Sequence, residues 1–285
     1  MSSVRSLARL PDVQSQADKR DLRIDAVGIK AVRHPVTIQG RTGAQPSVAT
    51  FEMTVELPAV AKRTHMSRFI ELLERQTQPL DARGFRRLVL AMLDRLEARS
   101  GTIAMQFPYF VTKTAPVSGV ASRLDYDVCW RGVVGDDGRY AFRMRIVAPA
   151  TSLCPCSKEI SAYGAHNQRS LISVEAELDG EMDIEELLAI AEGSASCEVY
   201  GLLKRPDEKY VTERAYDNPK FVEDLVRDVA VELNREARIR SYVVEAENFE
   251  SIHNHSAYAR IVREASAHAG DGCAASDRSA GAPRL

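Results

Sequence analysis

The chain contains 285 residues, 45% of them hydrophobic, and its 38 basic and 40 acidic side chains leave a formal net charge of −2. These values suit a folded chain with one large core or two smaller ones, and they exclude the basic excess of a nucleic-acid-binding protein. No apolar run approaches the roughly 20 residues that cross a bilayer, and the N-terminus lacks the apolar segment of a signal peptide. We therefore predict a cytoplasmic protein with reduced thiols and with neither a nucleic-acid nor a membrane partner.

Residues 1–20 are polar and aperiodic, and we predict a flexible N-terminal segment there. Alternating apolar side chains then predict strands, and apolar side chains at helical spacing predict helices. Gly101 is expected to close the second helix. The first predicted module, residues 21–135, has two strands, two helices and two strands, at 22–38, 49–57, 66–75, 82–98, 102–110 and 122–134.

Residues 136–265 repeat this order as a second module that carries most of the candidate site residues. Asn218 is a typical N-cap residue and Pro219 suits the first turn of the last helix. The predicted order is two strands, two helices and two strands, at 139–148, 170–178, 184–192, 219–235, 239–246 and 257–261. The predicted fold class is α+β with two tandem modules and antiparallel sheets. Residues 266–285 are predicted to be a disordered tail, so its His268 and Cys273 are not candidates.

Cys154 and Cys156 flank Pro155, which we predict to impose an extended backbone that points the two thiols in roughly opposite directions. On this spacing alone, two buried cysteines acting as small hydrophobic residues are an equally good interpretation. His166 follows in the same polar, glycine-containing segment. Because thiolate and imidazole are ligands of soft and borderline divalent metals, the combination favours a metal site.

Glu208 would complete a Cys–His–Glu ligand set with a fourth position open to water, which is typical of catalytic metals. Spacing alone does not select it over Glu198 or Glu213, and spacing alone favours a solvated loop carboxylate. We predict that Pro206 keeps a helix or strand from continuing through this segment.

Three further polar residues are candidates. Glu223 lies away from the apolar stripe of the last predicted helix, where a contact with the helix dipole explains it without any ligand. His253 and His255 are two residues apart, and in an extended segment they are predicted to face opposite sides. Each is a candidate general acid or base, and a polar surface loop is the competing interpretation.

Several long segments, in order, resemble the type IB GTP cyclohydrolases, and the resemblance covers about Asp12 to Ala259. The segments are KRTHMSRF, KTAPVSG, SLCPCSKEISAYGAHNQR, GLLKRPDEKYVTERAYDNPKFVEDLVRD and ENFESIHNHSAYA. The resemblance implies a tunnelling fold of two ββααββ modules, with helices on one face, assembled as a homotetramer with interfacial active sites. It implies a hydrolase that converts GTP and water to 7,8-dihydroneopterin triphosphate and formate, the first step of tetrahydrofolate biosynthesis.

The resemblance also implies roles for individual residues. Cys154, His166 and Glu208 correspond to the metal ligands, and the ion is Zn, Mn, Fe or Co. Glu223 corresponds to the carboxylate that binds guanine, while His253 and His255 correspond to the proton-transfer pair. The triphosphate needs cations, for which the candidates are Lys62, Arg63, Arg68, Lys113, Arg169, Lys204 and Lys209.

Two alternatives remain open at this stage. The first is an NADPH-dependent nitrile reductase of the same fold, which would use a nucleophilic cysteine and no metal. The second is a non-catalytic purine- or pterin-binding module, which would bind GTP without consuming it. Metal content separates the first alternative from the cyclohydrolase, and turnover of GTP separates the second.

Overall fold

A single antiparallel sheet organises the computed structural model, which describes residues 20–61 and 64–265. Among these residues there are nine strands: β1 Ile24–Gly40, β2 Gly43–Leu57, β3 Gly101–Thr114, β4 Ala121–Val134, β5 Tyr140–Leu153, β6 Asn167–Leu178, β7 Cys197–Glu198, β8 Ile239–Phe249 and β9 Ser256–Arg263. The helices are α1 Met66–Glu74, α2 Ala82–Leu96, α3 Pro155–Ile160, α4 Ile184–Gly193, α5 Arg205–Asp217 and α6 Val222–Arg235. No helix of the described residues is both long and apolar enough to cross a membrane.

The α+β class with an antiparallel sheet is confirmed. In the sheet, β1 to β6 are neighbours in chain order and β8 and β9 follow β6, while the short β7 pairs with β5. In chain order, α1 and α2 lie between β2 and β3, and the remaining helices lie between β5 and β8. The predicted ββααββ order therefore occurs twice, with two additional helices, α3 and α5, in the second half.

The two halves share one sheet because β4 pairs directly with β5. Their ladder runs from Val134 opposite Tyr140 to Asp127 opposite Val147. The helices pack on one face, where alternate strand residues are buried. Phe85 of α2 packs edge-on against Trp130 of β4 and Phe142 of β5, with ring centroids 5.7 and 6.0 Å apart. Aromatic contacts of this geometry add about 1 kcal/mol each to the burial term, and here they join the halves.

Two predicted helix ends are wrong. Helix α2 ends at Leu96 with Glu97 in the left-handed region at φ 55°, and Gly101 instead begins β3. Gly101 is needed there because an added Cβ would lie 2.7 Å from the Thr54 carbonyl oxygen. Helix α6 begins at Val222 after Phe221, so Asn218 and Pro219 precede it, and Asn218 instead ends α5.

Some predictions fall outside the described residues. These are the N-terminal segment up to residue 19, the tail from residue 266 with His268 and Cys273, and the cation candidates Lys62 and Arg63.

Candidate active site

The thiol of Cys154 lies at the junction of β5 and α3. Pro155 is the first residue of α3 and Cys154 is its N-cap, so the prediction that Pro155 continues an extended backbone was wrong. The fixed φ of proline suits the first helical position, where no N–H donor is needed. The Cys154 Sγ accepts a hydrogen bond from the Ser157 N–H at 3.5 Å. Cys154 is half-buried and Cys156 is exposed, so only Cys154 is oriented by the local fold.

Ser157 connects Cys154 to His166. Its hydroxyl donates to the Cys154 carbonyl oxygen at 3.1 Å and accepts the His166 N–H at 3.2 Å. The Cys154 N–H in turn donates to the His166 carbonyl oxygen at 3.2 Å. The paired ends of β5 and β6, where Leu153 faces Asn167, lie directly beside these contacts. The structure therefore brings the predicted sulfur and imidazole ligands to the same end of the sheet.

The histidine pair lies in the loop between β8 and β9. The His253 and His255 rings are stacked with centroids 5.1 Å apart and an interplanar angle of 17°. The prediction that they face opposite sides was wrong, because the segment bends and is not an extended strand. In the same loop, the Ser251 Oγ lies 3.2 Å from the His166 Nδ1. The loop is thus linked to the predicted metal ligand.

Glu208 is exposed on α5 and forms an ion pair with Arg205 at 3.4 Å. Pro206 lies in the first turn of this helix, so the predicted interruption was wrong, for the same reason as at Pro155. Within the described part of the chain, no group of three or more His, Cys, Asp or Glu side chains is arranged to hold a metal ion. Glu208 is therefore not gathered with Cys154 and His166 in the single chain.

The other carboxylates considered at this position differ in their surroundings. Glu198 accepts a hydrogen bond from the Tyr200 hydroxyl at 2.5 Å and lies 3.7 Å from Arg214. Glu213 is exposed and forms a loose pair with Lys209 at 3.8 Å. Glu198 is therefore already engaged in a partly buried network, whereas the two glutamates on α5 have only exposed partners.

Asp207, next to Glu208, is a buried carboxylate that the sequence pattern did not single out. Its fully buried carboxylate accepts four hydrogen bonds, from the Val117 and Ser118 N–H groups, the Ser118 hydroxyl and the Lys204 N–H, at 2.6 to 2.8 Å. Burial raises the pKa of Asp207, but the hydrogen bonds from Ser118, Lys204 and Val117 outweigh it and hold the pKa well below its usual range. Asp207 thus ties the β3–β4 loop to the start of α5, next to Glu208. The sequence signal is an acidic residue at the third helical position.

We expect Asp207→Ala to lower the melting temperature by several degrees, whereas Glu208→Ala should leave it unchanged. The first change leaves four partly buried donors without their acceptor, and the second removes only an exposed ion pair. Thermal unfolding of the two metal-free variants, compared with the native chain, measures the difference. Equal melting temperatures for the two neighbours would show that Asp207 does not anchor the loop.

The remaining candidates are distributed around this region. Glu223 is exposed in the first turn of α6. Lys113 is largely buried and lies 2.8 Å from Glu192, so its charge is already paired. Arg68 donates to the Arg95 carbonyl oxygen. Of the cation candidates within the described residues, those that remain exposed are Arg169, Lys204 and Lys209.

The other two described cysteines do not have the surroundings of ligands. Cys197 is buried, Cys129 is half-buried, and burial raises the pKa of both thiols. Because only a thiolate binds metal well, these two are better explained as small apolar residues.

Comparison with known proteins gives a consistent result. Residues 10–259 match the family model described as type I GTP cyclohydrolase folE2. A protein named GTP cyclohydrolase FolE2 from Azoarcus sp. (strain BH72) is 58% identical over 256 residues, covering 90% of this chain and 95% of the relative. Its namesake from Paraburkholderia xenovorans (strain LB400) is 60% identical over 256 residues, with the same coverage. Among solved structures, the uricase from Arthrobacter globiformis matches with a TM-score of 0.49 and 11% identity over 85% of this chain and 95% of that one, too little to bear on function.

Proposed function

The chain belongs to the type I GTP cyclohydrolase FolE2 family, and from this premise we propose that it is a type IB GTP cyclohydrolase. The proposed reaction converts GTP and one water molecule to 7,8-dihydroneopterin triphosphate and formate, as a step of tetrahydrofolate biosynthesis. The observation that carries the proposal is the joining of Cys154, His166 and the His253–His255 loop by hydrogen bonds at one end of the sheet. Similarity to the family in sequence would not by itself require Cys154, His166 and this loop to be neighbours in the structure.

A divalent metal fits the donor chemistry of this region. The Cys154 thiol and the His166 backbone N–H both bond to Ser157. A thiol and an imidazole suit Zn, Mn, Fe or Co, and Cys154, His166 and Glu208 would hold the ion. The Glu208 side chain would exchange its exposed pair with Arg205 for this role, at little cost because exposed ion pairs contribute about 0–1 kcal/mol. When bound, such an ion lowers the pKa of water and supplies a nucleophile for the purine C8 at neutral pH.

Glu223 would bind the guanine base, and His253 and His255 would transfer protons. Glu223 would accept hydrogen bonds from the N1–H and the 2-amino group of guanine, because adjacent donors match the two oxygens of a carboxylate. His253 and His255 would deliver a proton to the ring nitrogen as the C8–N9 bond breaks. Their exposure in one short loop leaves both imidazoles accessible to a substrate.

We further propose a homotetramer with interfacial active sites and a cytoplasmic location. In the single chain, Glu208, Glu223 and both loop histidines are exposed, as residues that complete a site with a neighbouring subunit would be. The four cysteines of the described residues are free, which fits a reducing compartment.

We expect the purified protein to consume GTP, release formate and yield a pterin that fluoresces after oxidation. Prior treatment with a chelator should abolish this activity, and Zn, Mn, Fe or Co should restore it, because the nucleophile depends on the ion. Heat-treated protein is the control. Binding of GTP without turnover would favour the binding module, and metal-independent nitrile reduction with NADPH would favour the reductase.

A further inference from the structure

We propose that Ser251 is a positioning residue of the metal site, holding the His166 ring through Nδ1 so that Nε2 is the nitrogen presented to the ion. The inference rests on the proposed function, because it takes His166 as a ligand. Its basis is the 3.2 Å contact between the Ser251 hydroxyl and the His166 Nδ1. The two residues are 85 positions apart in the chain, so only the fold brings them together.

The contact between Ser251 and the His166 Nδ1 leaves Nε2 as the ring nitrogen that can bind a metal ion. A neutral imidazole has one N–H and one lone pair, and only the lone pair binds metal. With Ser251 beside Nδ1, the metal-binding tautomer carries its proton on Nδ1 and donates it to the Ser251 oxygen. The lone pair is then on Nε2. A hydrogen bond of this kind orients a ligating histidine and makes it more basic.

The backbone of His166 is already fixed on both sides. Its N–H donates to the Ser157 hydroxyl, and its carbonyl oxygen accepts the Cys154 N–H. The freedom that remains is rotation of the side chain, which the contact with Ser251 restricts. Ser157 thus fixes the backbone position of His166, and Ser251 fixes the orientation of its imidazole ring.

The same hydroxyl ties the metal site to the proton-transfer loop. The β8–β9 ladder ends at Phe249 opposite Ser256, and residues 251–255 between these positions are exposed. Ser251 lies two residues before His253, so its contact with His166 fixes the start of the loop. Loss of the hydroxyl should therefore affect both the ligand and the stacked histidines.

Metal affinity of the apo-protein tests the inference without any measurement of activity. We expect Ser251→Ala to weaken Zn(II) binding about 10–100-fold in competition with a chromophoric chelator, with an unchanged melting temperature. Ser251→Thr, which keeps the hydroxyl, should restore most of the affinity. Ser256→Ala is the matched control, because its hydroxyl bonds to Glu247 in the same region and not to His166. Native affinity in Ser251→Ala would overturn the inference.

Cobalt substitution separates failure of this inference from failure of the proposed function. Co(II) bound to a thiolate gives a sulfur-to-metal charge-transfer band, which should be present in the native chain and in Ser251→Ala at saturating Co(II). A band with native Co(II) affinity in Ser251→Ala would reject the role of Ser251 while leaving the metal site intact. A native chain that binds neither Zn(II) nor Co(II) would overturn both proposals.

Discussion

Cys154→Ala is expected to remove bound metal and to lower kcat/KM for GTP by about 1,000-fold or more. A bound ion would contribute about 4 kcal/mol or more to stabilising the transition state, and each 1.4 kcal/mol corresponds to a factor of ten in rate. Metal analysis of the purified variant and formate release from GTP are the two measurements. A variant that retains both metal and rate would exclude Cys154 as a ligand.

The neighbouring cysteine provides the control for this experiment. Cys156 is exposed at the second position of α3, whereas the Cys154 Sγ is held by the Ser157 N–H. We expect Cys156→Ala to keep its metal and its turnover. Because the two thiols share a backbone segment and differ in orientation, this pair separates ligation from any general effect of removing a cysteine.

Glu223→Ala is expected to raise the KM for GTP about 10–100-fold while leaving the metal in place. Hydrogen bonds to a charged partner contribute about 1.5–3 kcal/mol, which corresponds to this range. Glu223 is exposed and makes no contribution to the buried face of α6, so the melting temperature should not change. KM, metal content and thermal unfolding together distinguish lost recognition from lost structure.

An analogue without the 2-amino group sharpens this test. The native chain should discriminate strongly between GTP and inosine triphosphate. The analogue lacks the 2-amino donor, so one oxygen of the Glu223 carboxylate would be left without a hydrogen bond. Glu223→Ala should lose most of that discrimination. Glu232→Ala, an exposed glutamate of the same helix paired with Arg235, should retain it. Equal discrimination in the native chain and in Glu223→Ala would count against guanine recognition.

Local periodicity predicted most of the fold, and it failed where proline begins a helix. Alternating residues such as those of β4 and the apolar stripe of α2 report directly on burial, so their elements were predicted. Pro155 was expected to impose an extended backbone and Pro206 to interrupt a helix or strand, yet each lies in the first turn of a helix. Proline excludes a helix interior but favours a helix start, and the sequence around it did not separate the two.

The candidate site was less accessible to prediction because its contacts join distant segments. Residue types and the family resemblance pointed to Cys154, His166 and the loop histidines. The contacts of Ser251 with His166 and of Asp207 with Ser118 depend on how strands far apart in the chain pair. Periodicity carries no information on such pairs, and the stacking of His253 on His255 likewise depends on a bend that no residue type specifies.

The two edge strands of the sheet have a consequence for aggregation of the chain. Among the described strands, β1 and β9 are the edges of the sheet. β1 extends over 17 residues, and on its outer side Leu80 bonds to Thr37 and Gln39 near one end. A long row of unmatched amide and carbonyl groups is a template on which any other extended polypeptide can dock. A newly synthesised chain with such an edge is prone to aggregate through edge-to-edge pairing, and a high expression level would make these contacts more frequent.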